Sequence, residues 1–365
     1  MRNDTNTRAM EKGRNHKPVS KAPQKTTIFK GRVALWDNLK FLTIVLVVVG
    51  HFADYLTKTS TISQSVRLFI YAFHMPLFIF ISGLFHSDRE VTRRCTYLVL
   101  AGTLLKFVLC ATHIARGGVP LYIFAGGAGI PWFLFVLAVY TGFTYIIREQ
   151  NLKLIFFFAI LLGMFAGYDR NVGDAFYLSR ILVFYPYYLM GRIIPQQKIT
   201  EFRRSHRWLT LLALIILGGW GYTCWKYLPQ HEFLQDMFMG KYPYAVVFAN
   251  YDKINILIGP LFRAGCYALG FLLIGAFIFI TPYYRIKALT YLGGHTVNVY
   301  FWHAIVMKNA NKLYPFRRLI KHGVPEMVVI LAIPLVLSII LSTGIFNFPL
   351  KQLKDAVYKR NRTGK

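Results

Sequence analysis

Acidic residues are scarce in this chain. Fifteen Asp and Glu stand against forty-three Lys and Arg in 365 residues, and charged residues of both signs make up only 16%. That fraction is too small to clothe a soluble surface. Cysteine is scarce too: Cys95, Cys110, Cys224 and Cys266 show no paired or metal-ligand spacing. Neither a disulfide framework nor a zinc site is therefore expected, and the three cysteines within apolar runs read as small hydrophobes. There is no glycine-rich phosphate loop and no internal repeat, which argues against P-loop nucleotide enzymes, dinucleotide enzymes and solenoid scaffolds. Residues 1–31 are polar and lack the apolar stretch of a signal peptide.

What the chain has in quantity is apolar sequence in long blocks. It is 55% hydrophobic and 16% aromatic, with a mean hydropathy of +0.41. Ten segments approach the length needed to cross about 30 Å of hydrocarbon. They lie near 37–56, 66–86, 94–113, 131–148, 152–168, 179–195, 207–225, 261–281, 286–307 and 327–347. The expected fold is all-α, a polytopic integral membrane bundle of about ten helices. Residues 1–31 form a disordered basic tail, 32–348 the membrane domain and 349–365 a second basic tail, with no appended soluble catalytic domain. Chemistry would then have to take place among the helices.

The net charge of +28 raises the question of nucleic acid. Its distribution argues otherwise, because Lys and Arg concentrate in the tails and in alternate short loops, as on the cytoplasmic side of a membrane protein. Both termini are expected in the cytoplasm of a multi-pass cell-membrane protein. Anionic lipid headgroups are the nearer counter-charge, and an acidic soluble partner is the alternative. One loop breaks the pattern: 308–326, on the outer side in this topology, carries Lys308, Lys312, Arg317, Arg318 and Lys321. A late loop can depart from the bias, or it can face an anionic glycan or lipid. The longest hydrophilic connection, 226–260, holds Tyr242, Tyr244, Phe248, Asn250 and Tyr251. These suit sugar faces and hydroxyls, or an interfacial aromatic belt.

The stretch WDNLKFLTIVLVVVGH, residues 36–51, sets Asp37 and Lys40 ahead of an uncharged run that ends on Gly50-His51. Eleven residues turn a helix through about three whole turns, so Lys40 and His51 share one face, about 16 Å apart along the axis, with Asp37 close to the same line. An imidazole at such depth is either a catalytic base or a histidine satisfied by packing. Asp54 stands three residues on, where it can accept from the imidazole or lie at the outer interface. Six further ionisable residues interrupt the apolar spans: His74, Lys106, Arg180, Arg263, His295 and His303. Charge at bilayer depth is costly, so together they imply a polar interior.

Around them are segments unlike plain hydrophobic filler. FHMPLFIFISGLF (73–85) places Pro76 where it removes a backbone donor and Ser82-Gly83 where helices can approach closely. Arg89, Arg93 and Arg94 open the third span, with guanidinium groups suited to phosphate, although any cytoplasmic loop collects such charge. PWFLFVL (131–137), SRILVFYPYYLMGR (179–192) and LGGHTVNVYFWHAIV (292–306) complete the set. His74, Arg180 and His303 are the candidate substrate-binding residues, each with helix packing as its alternative.

These segments together resemble the membrane-bound acyltransferase family 3, within it the fucose 4-O-acetylase-like and polysaccharide O-acetyltransferase branch. The matching features are WDNLK with its apolar run to GH, FHMPLFIFISG, PWFL, R-x4-YPYYLMGR and LG-x2-T-x3-YFWH, over roughly residues 33–306. The family is marked by a basic residue with ten positions between it and the histidine of its first helix, a spacing that Lys40 and His51 fit. The resemblance implies about ten helices, a cytoplasmic acetyl-CoA donor and acetyl transfer to a carbohydrate hydroxyl. By carry-over His51 is the catalytic histidine and Lys40 its paired basic residue; Asp37, on the same face, is the third candidate catalytic residue, and Lys40, Arg89, Arg93 and Arg94 are the candidates for the donor phosphates. Many members have a tight Arg-x2-Arg pair near the third helix, and the pattern here, Arg89-x3-Arg93-Arg94, departs from it. The family's optional extracytoplasmic esterase-like domain is not expected.

The expected activity is O-acetylation of a surface or exopolysaccharide glycan, or of its lipid-linked precursor. No metal is needed for that chemistry and no nucleic acid partner is expected. Two alternatives stand beside it: transfer of another acyl group, such as succinyl, to a glucan, and non-enzymatic transport of a glycan or lipid. Against transport, no pairing of broken helices between repeats is visible.

Overall fold

The computed structural model describes residues 33–57, 60–115, 117, 129–227, 231–249, 256–321 and 324–359. The tail 1–31, Lys58, Arg116, Asn250, Tyr251 and residues 360–365 lie outside them. Among the described residues there is no strand. These residues hold seventeen α-helices in order: α1 Ala34–Ala53, α2 Thr61–Tyr71, α3 His74–Leu84, α4 Val91–Ile114, α5 Trp132–Ile146, α6 Leu152–Phe165, α7 Leu178–Ile193, α8 Gln196–Ser205, α9 Leu209–Lys226, α10 Glu232–Met239, α11 Tyr244–Val247, α12 Gly259–Ile280, α13 Lys287–Gly293, α14 Thr296–Leu313, α15 Arg317–Lys321, α16 Glu326–Leu341 and α17 Leu350–Lys359. Five are long and apolar enough to cross a membrane by length and composition, counting α2 and α3 together: Ala34–Ala53, Thr61–Leu84, Val91–Ile114, Leu209–Lys226 and Gly259–Ile280.

α1 is the central pillar, surrounded by α2, α3, α13, α14 and α16. Leu35, Leu39, Val48, Phe52 and Ala53 are fully buried along it. Its polar start is tied down as well. Asn38 donates to the carbonyls of Pro282 (2.9 Å) and Tyr284 (3.0 Å) and accepts from the Thr290 hydroxyl (2.8 Å). The rim of the bundle is the reverse case: Phe157, Phe158 and Leu162 on α6, and Leu211, Leu214 and Ile215 on α9, leave more than half of their surface uncovered. Large apolar side chains exposed in continuous belts are stable against lipid rather than water. The chain is a polytopic helical membrane bundle.

Several elements differ in detail from the sequence reading. The segment near 66–86 is two helices, parted at Ala72-Phe73. Pro76 falls in the first turn of α3, where an amide has no partner inside the helix, so it starts that helix instead of kinking one. The segment near 286–307 is likewise split, at Gly294-His295, into α13 and α14. In the long connection, Tyr244 and Phe248 do not present their rings outward: both are buried, in a small cluster with Phe233, Met237 and Val247. Residues 350–359, expected as tail, form α17, which lies against α4.

α3 and α7 make backbone contact. A methyl group on Gly83 would overlap the carbonyl of Tyr188, and one on Gly191 would overlap the carbonyl of Phe80. Glycine on both sides is what permits this approach. Gly83→Ala should lower the thermal midpoint in detergent, by the equivalent of about 1–3 kcal/mol for an overpacked contact. Gly218→Ala on α9, where nothing lies within 4 Å of the added methyl, should leave the midpoint unchanged or slightly raised.

Candidate active site

The first helix lines two cavities with a single stripe of side chains. Lys40, Ile44 and Val47 face a cavity of about 300 Å³, and His51 faces a second of about 310 Å³. The spacing of four, three and four residues is that of one helix face. Met75, in the first turn of α3, lines both cavities.

The cavity at Lys40 is mostly apolar. Phe78, Ile81, Phe85, Leu98, Phe133, Leu137 and Phe301 are among its walls, and among the described residues its lining cations are Lys40 and Arg94. Asp37 is buried and reaches the Lys40 ammonium at 2.8 Å. It lines neither cavity; it holds the lysine. Lys40 also lies 5.5 Å from the centre of the Phe85 ring. Arg94 donates to the Phe85 carbonyl at 3.3 Å. The α7 motif supplies the neighbouring wall: the Tyr188 hydroxyl bonds His86 Nδ1 (2.7 Å), His86 Nε2 meets Asp88 (3.0 Å), and Asp88 also takes Arg192 (3.0 Å). Arg89 is exposed, Arg93 pairs with Glu90, and neither lines the cavity. α17 contributes Leu350 to the same lining.

At the other cavity His51 is about a quarter exposed, at 27% of its side chain. Its Nδ1 lies 3.4 Å from Asp54 Oδ2 and 3.3 Å from the Tyr71 hydroxyl, which itself donates to that carboxylate oxygen at 2.8 Å. The other oxygen of Asp54 pairs with Arg67 at 2.7 Å. A carboxylate on the Nδ1 side favours the tautomer with its proton there and leaves Nε2 as the basic nitrogen. His51 Nε2 makes no hydrogen bond among the described residues. The arrangement suits an imidazole that takes a proton and whose resulting charge a fixed carboxylate offsets.

The remaining candidates fall into two groups. His303 stacks on His51, with ring centres 5.5 Å apart and planes 25° off parallel. Its Nδ1 donates to the Val299 carbonyl at 2.8 Å, so its Nε2 carries a lone pair, buried and without a hydrogen-bond partner among the described residues. His74 lines the cavity, with Nδ1 on the Ile70 carbonyl at 2.9 Å. That carbonyl lies at the end of α2, where the α2–α3 break interrupts the helix. Arg180 lines the cavity too, 4.7 Å from the Trp132 ring centre and 3.1 Å from Asp174. By contrast, Lys106, Arg263 and His295 line neither of these two cavities. Lys106 sits 5.1 Å from the Phe135 and Tyr177 ring centres, and Arg263 donates to the Met237 carbonyl. His295 is half-buried at the head of α14, against the Tyr291 carbonyl.

Sequence reasoning singled out none of Arg67, Tyr71 and Met75 for the site. Arg67 and Tyr71 stand four apart on α2, one helical face, and that spacing is the signal that could have found them.

A base–carboxylate pair at the end of a membrane helix, with a cation-flanked apolar cavity behind it, is an arrangement that suits group transfer within a membrane. The comparisons give the class its family. A family model described as an acyltransferase domain matches residues 33–343. No curated protein and no solved structure matches the chain. The chain belongs to the membrane-bound acyltransferase family 3 and is an acyltransferase. In that reaction Asp54→Asn should lower kcat about 10- to 100-fold, the lower range of what a positioned acid–base system contributes, while the KM for the acyl donor stays unchanged. Tyr71→Phe, which removes one donor to Asp54, should show a smaller loss of the same kind. A rise in donor KM with kcat intact would assign Asp54 to binding instead.

Proposed function

We propose that the protein is an O-acetyltransferase that moves an acetyl group from acetyl-CoA to a hydroxyl of a surface or exopolysaccharide glycan, or of its lipid-linked precursor. The observation that carries this is the α1 stripe: Lys40, Ile44 and Val47 on one cavity, His51 on the next, and Met75 shared between them. Donor and acceptor would enter from opposite ends and meet at the histidine. With the N-terminus in the cytoplasm, the Lys40 cavity opens toward that side, where acetyl-CoA is made.

In this reading Lys40 and Arg94 attract the donor's phosphates at the mouth, and the pantetheine arm runs along the apolar wall with its thioester toward Met75. Charge-assisted bonds from lysine and arginine are the usual holders of phosphate oxygens. Arg94, rather than Arg89 or Arg93, is the arginine of the cluster placed to share that work with Lys40. A sugar hydroxyl in the second cavity loses its proton to His51 Nε2 as its oxygen attacks the thioester carbonyl. The carbon–sulfur bond then breaks, the thiolate of CoA leaves, and the proton held by His51 passes to it. Asp54 on the Nδ1 side offsets the imidazolium formed in between.

The apolar wall also favours acetyl over succinyl. A terminal carboxylate beyond the thioester would need a cation deep in the donor cavity, and those of its lining residues that are cationic, Lys40 and Arg94, are already engaged with the phosphates.

The test is acetylation of the envelope glycan in cells with and without the gene, followed by NMR, together with CoA release by the purified protein. His51→Ala should lower kcat/KM by about 10²- to 10⁴-fold while expression and membrane insertion hold. Retained acetylation in that variant would sink the mechanism. Arg94→Gln should raise the acetyl-CoA KM about tenfold, as loss of a charge-assisted bond does, and Arg89→Gln should leave it unchanged.

A further inference from the structure

We infer that His74 decides which hydroxyl of the acceptor is acetylated: its Nε2 takes a hydrogen bond from the hydroxyl next to the one that reacts. The acceptor then has to offer a pair of neighbouring free hydroxyls on one sugar. This rests on the O-acetyltransferase reading and adds the feature of the second substrate that the site selects.

The break between α2 and α3 fixes the tautomer of His74. Where the helical ladder stops, the Ile70 carbonyl accepts from the Phe73 amide at 3.2 Å and from His74 Nδ1 at 2.9 Å. A carbonyl only accepts, so Nδ1 carries the proton and Nε2 the lone pair. His74 is buried, yet its Nε2 makes no hydrogen bond among the described residues, and the side chain lines the cavity at His51. A desolvated lone pair without a donor is costly. The group that meets it from the cavity must bring a hydrogen: a sugar hydroxyl does, and an ether or an acetylated oxygen does not.

His74 also stands beside the place of reaction. Met75, next in the chain, is the residue that both cavities share, and in the proposed reading the thioester is turned toward it. The Tyr71 ring lies against both imidazoles, its centre 4.8 Å from that of His74 and 6.2 Å from that of His51. The Tyr71 hydroxyl is spent on Asp54 at 2.8 Å, so Tyr71 serves as a spacer between the two histidines. Two nitrogens with lone pairs thus border one cavity, and their surroundings differ. His51 has the Asp54 carboxylate on its Nδ1 side to offset a gained proton. His74 has a neutral carbonyl there, and no carboxylate bonds it among the described residues. The proton therefore goes to His51, and His74 holds its hydroxyl without deprotonating it. Two neighbouring hydroxyls bound in this way are told apart. His303 has the same tautomer, through Val299, but lines neither cavity and packs on the His51 ring instead.

The test is the position of the acetyl group. Glycan from cells lacking the gene is acetylated by the full-length protein in detergent, quenched in acid to stop acetyl migration, and read by two-dimensional NMR. Wild type should place acetate at one position of one sugar, beside a free hydroxyl, and should never fill both positions of the pair. His74→Phe keeps a ring but loses the lone pair. It should divide the acetate between the two positions and raise the glycan KM about three- to tenfold, the effect of one neutral hydrogen bond, with the acetyl-CoA KM unchanged. His74→Gln, whose amide oxygen restores an acceptor, should return most of the acetate to the first position. Thermal midpoints separate these effects from loss of fold. An unchanged single position and glycan KM in a folded His74→Phe overturns the proposal. A folded variant that acetylates nothing assigns His74 to the reacting hydroxyl and overturns it as well. Where the variants do not fold, the wild-type product decides: acetate without a free neighbour, or on both hydroxyls of a pair, overturns it. Each of these outcomes leaves the transferase reading standing; absence of both CoA release and acetate with wild type removes that reading, and this one with it.

Discussion

An ionised side chain inside a membrane bundle must bring its partner with it, and three such pairings set the layout of this protein. Asp37 holds Lys40, Asp54 holds Arg67 and Tyr71, and Asp174 holds Arg180 and Lys241. Each carboxylate fixes a cation or a hydroxyl at the border of a cavity. Breaking one pair strands a charge in low dielectric, at a cost of about 3–5 kcal/mol for a fully buried pair and less where water reaches it. The pairs therefore act as spacers: they keep polar walls apart where apolar side chains would otherwise close in. They also join separate elements, the end of α1 to the next helix, α2, in one case and α7 to the segment after α10 in another.

The division of labour along α1 follows from that layout. One face carries the cation, the apolar lining and the imidazole in succession, with α14 across the same cavities, and α13 and α16 pack on the helix as well. The close approach of α3 and α7 at Gly83 and Gly191 holds Tyr188 and Met75 on fixed sides of the same space. Replacing any of these elements would change the cavities before it changed the fold class.

Much of this was legible in the sequence because helical periodicity is a strong rule. Residues 40, 44, 47 and 51 fall on one face whatever the tertiary structure, so the pairing of Lys40 with His51 could be read directly. The helical membrane class followed from apolar block length, which composition alone carries. What could not be read were contacts between helices. Asp54 could be read as a partner of the imidazole or as an interface residue, because Arg67 and Tyr71, which fix it, lie on another helix across a turn of unknown direction. The arginines 89, 93 and 94 looked equivalent, yet Glu90 takes Arg93, and the start of α4 turns Arg94 alone toward the cavity. The breaks at Ala72-Phe73 and Gly294-His295 were hidden by apolar sequence on both sides, since a hydropathy window does not see a change of helix axis.

Met75 has a consequence beyond the placing of two substrates. A bundle that admits water from both ends is, without a barrier, a pore. Here the two cavities share one flexible thioether as part of their walls, a side chain that adapts its shape and binds water poorly. In the proposed reading, where the two cavities open to opposite sides of the membrane, that thioether is part of the barrier that keeps ions from passing between them, so the membrane that houses the protein holds its gradients through turnover.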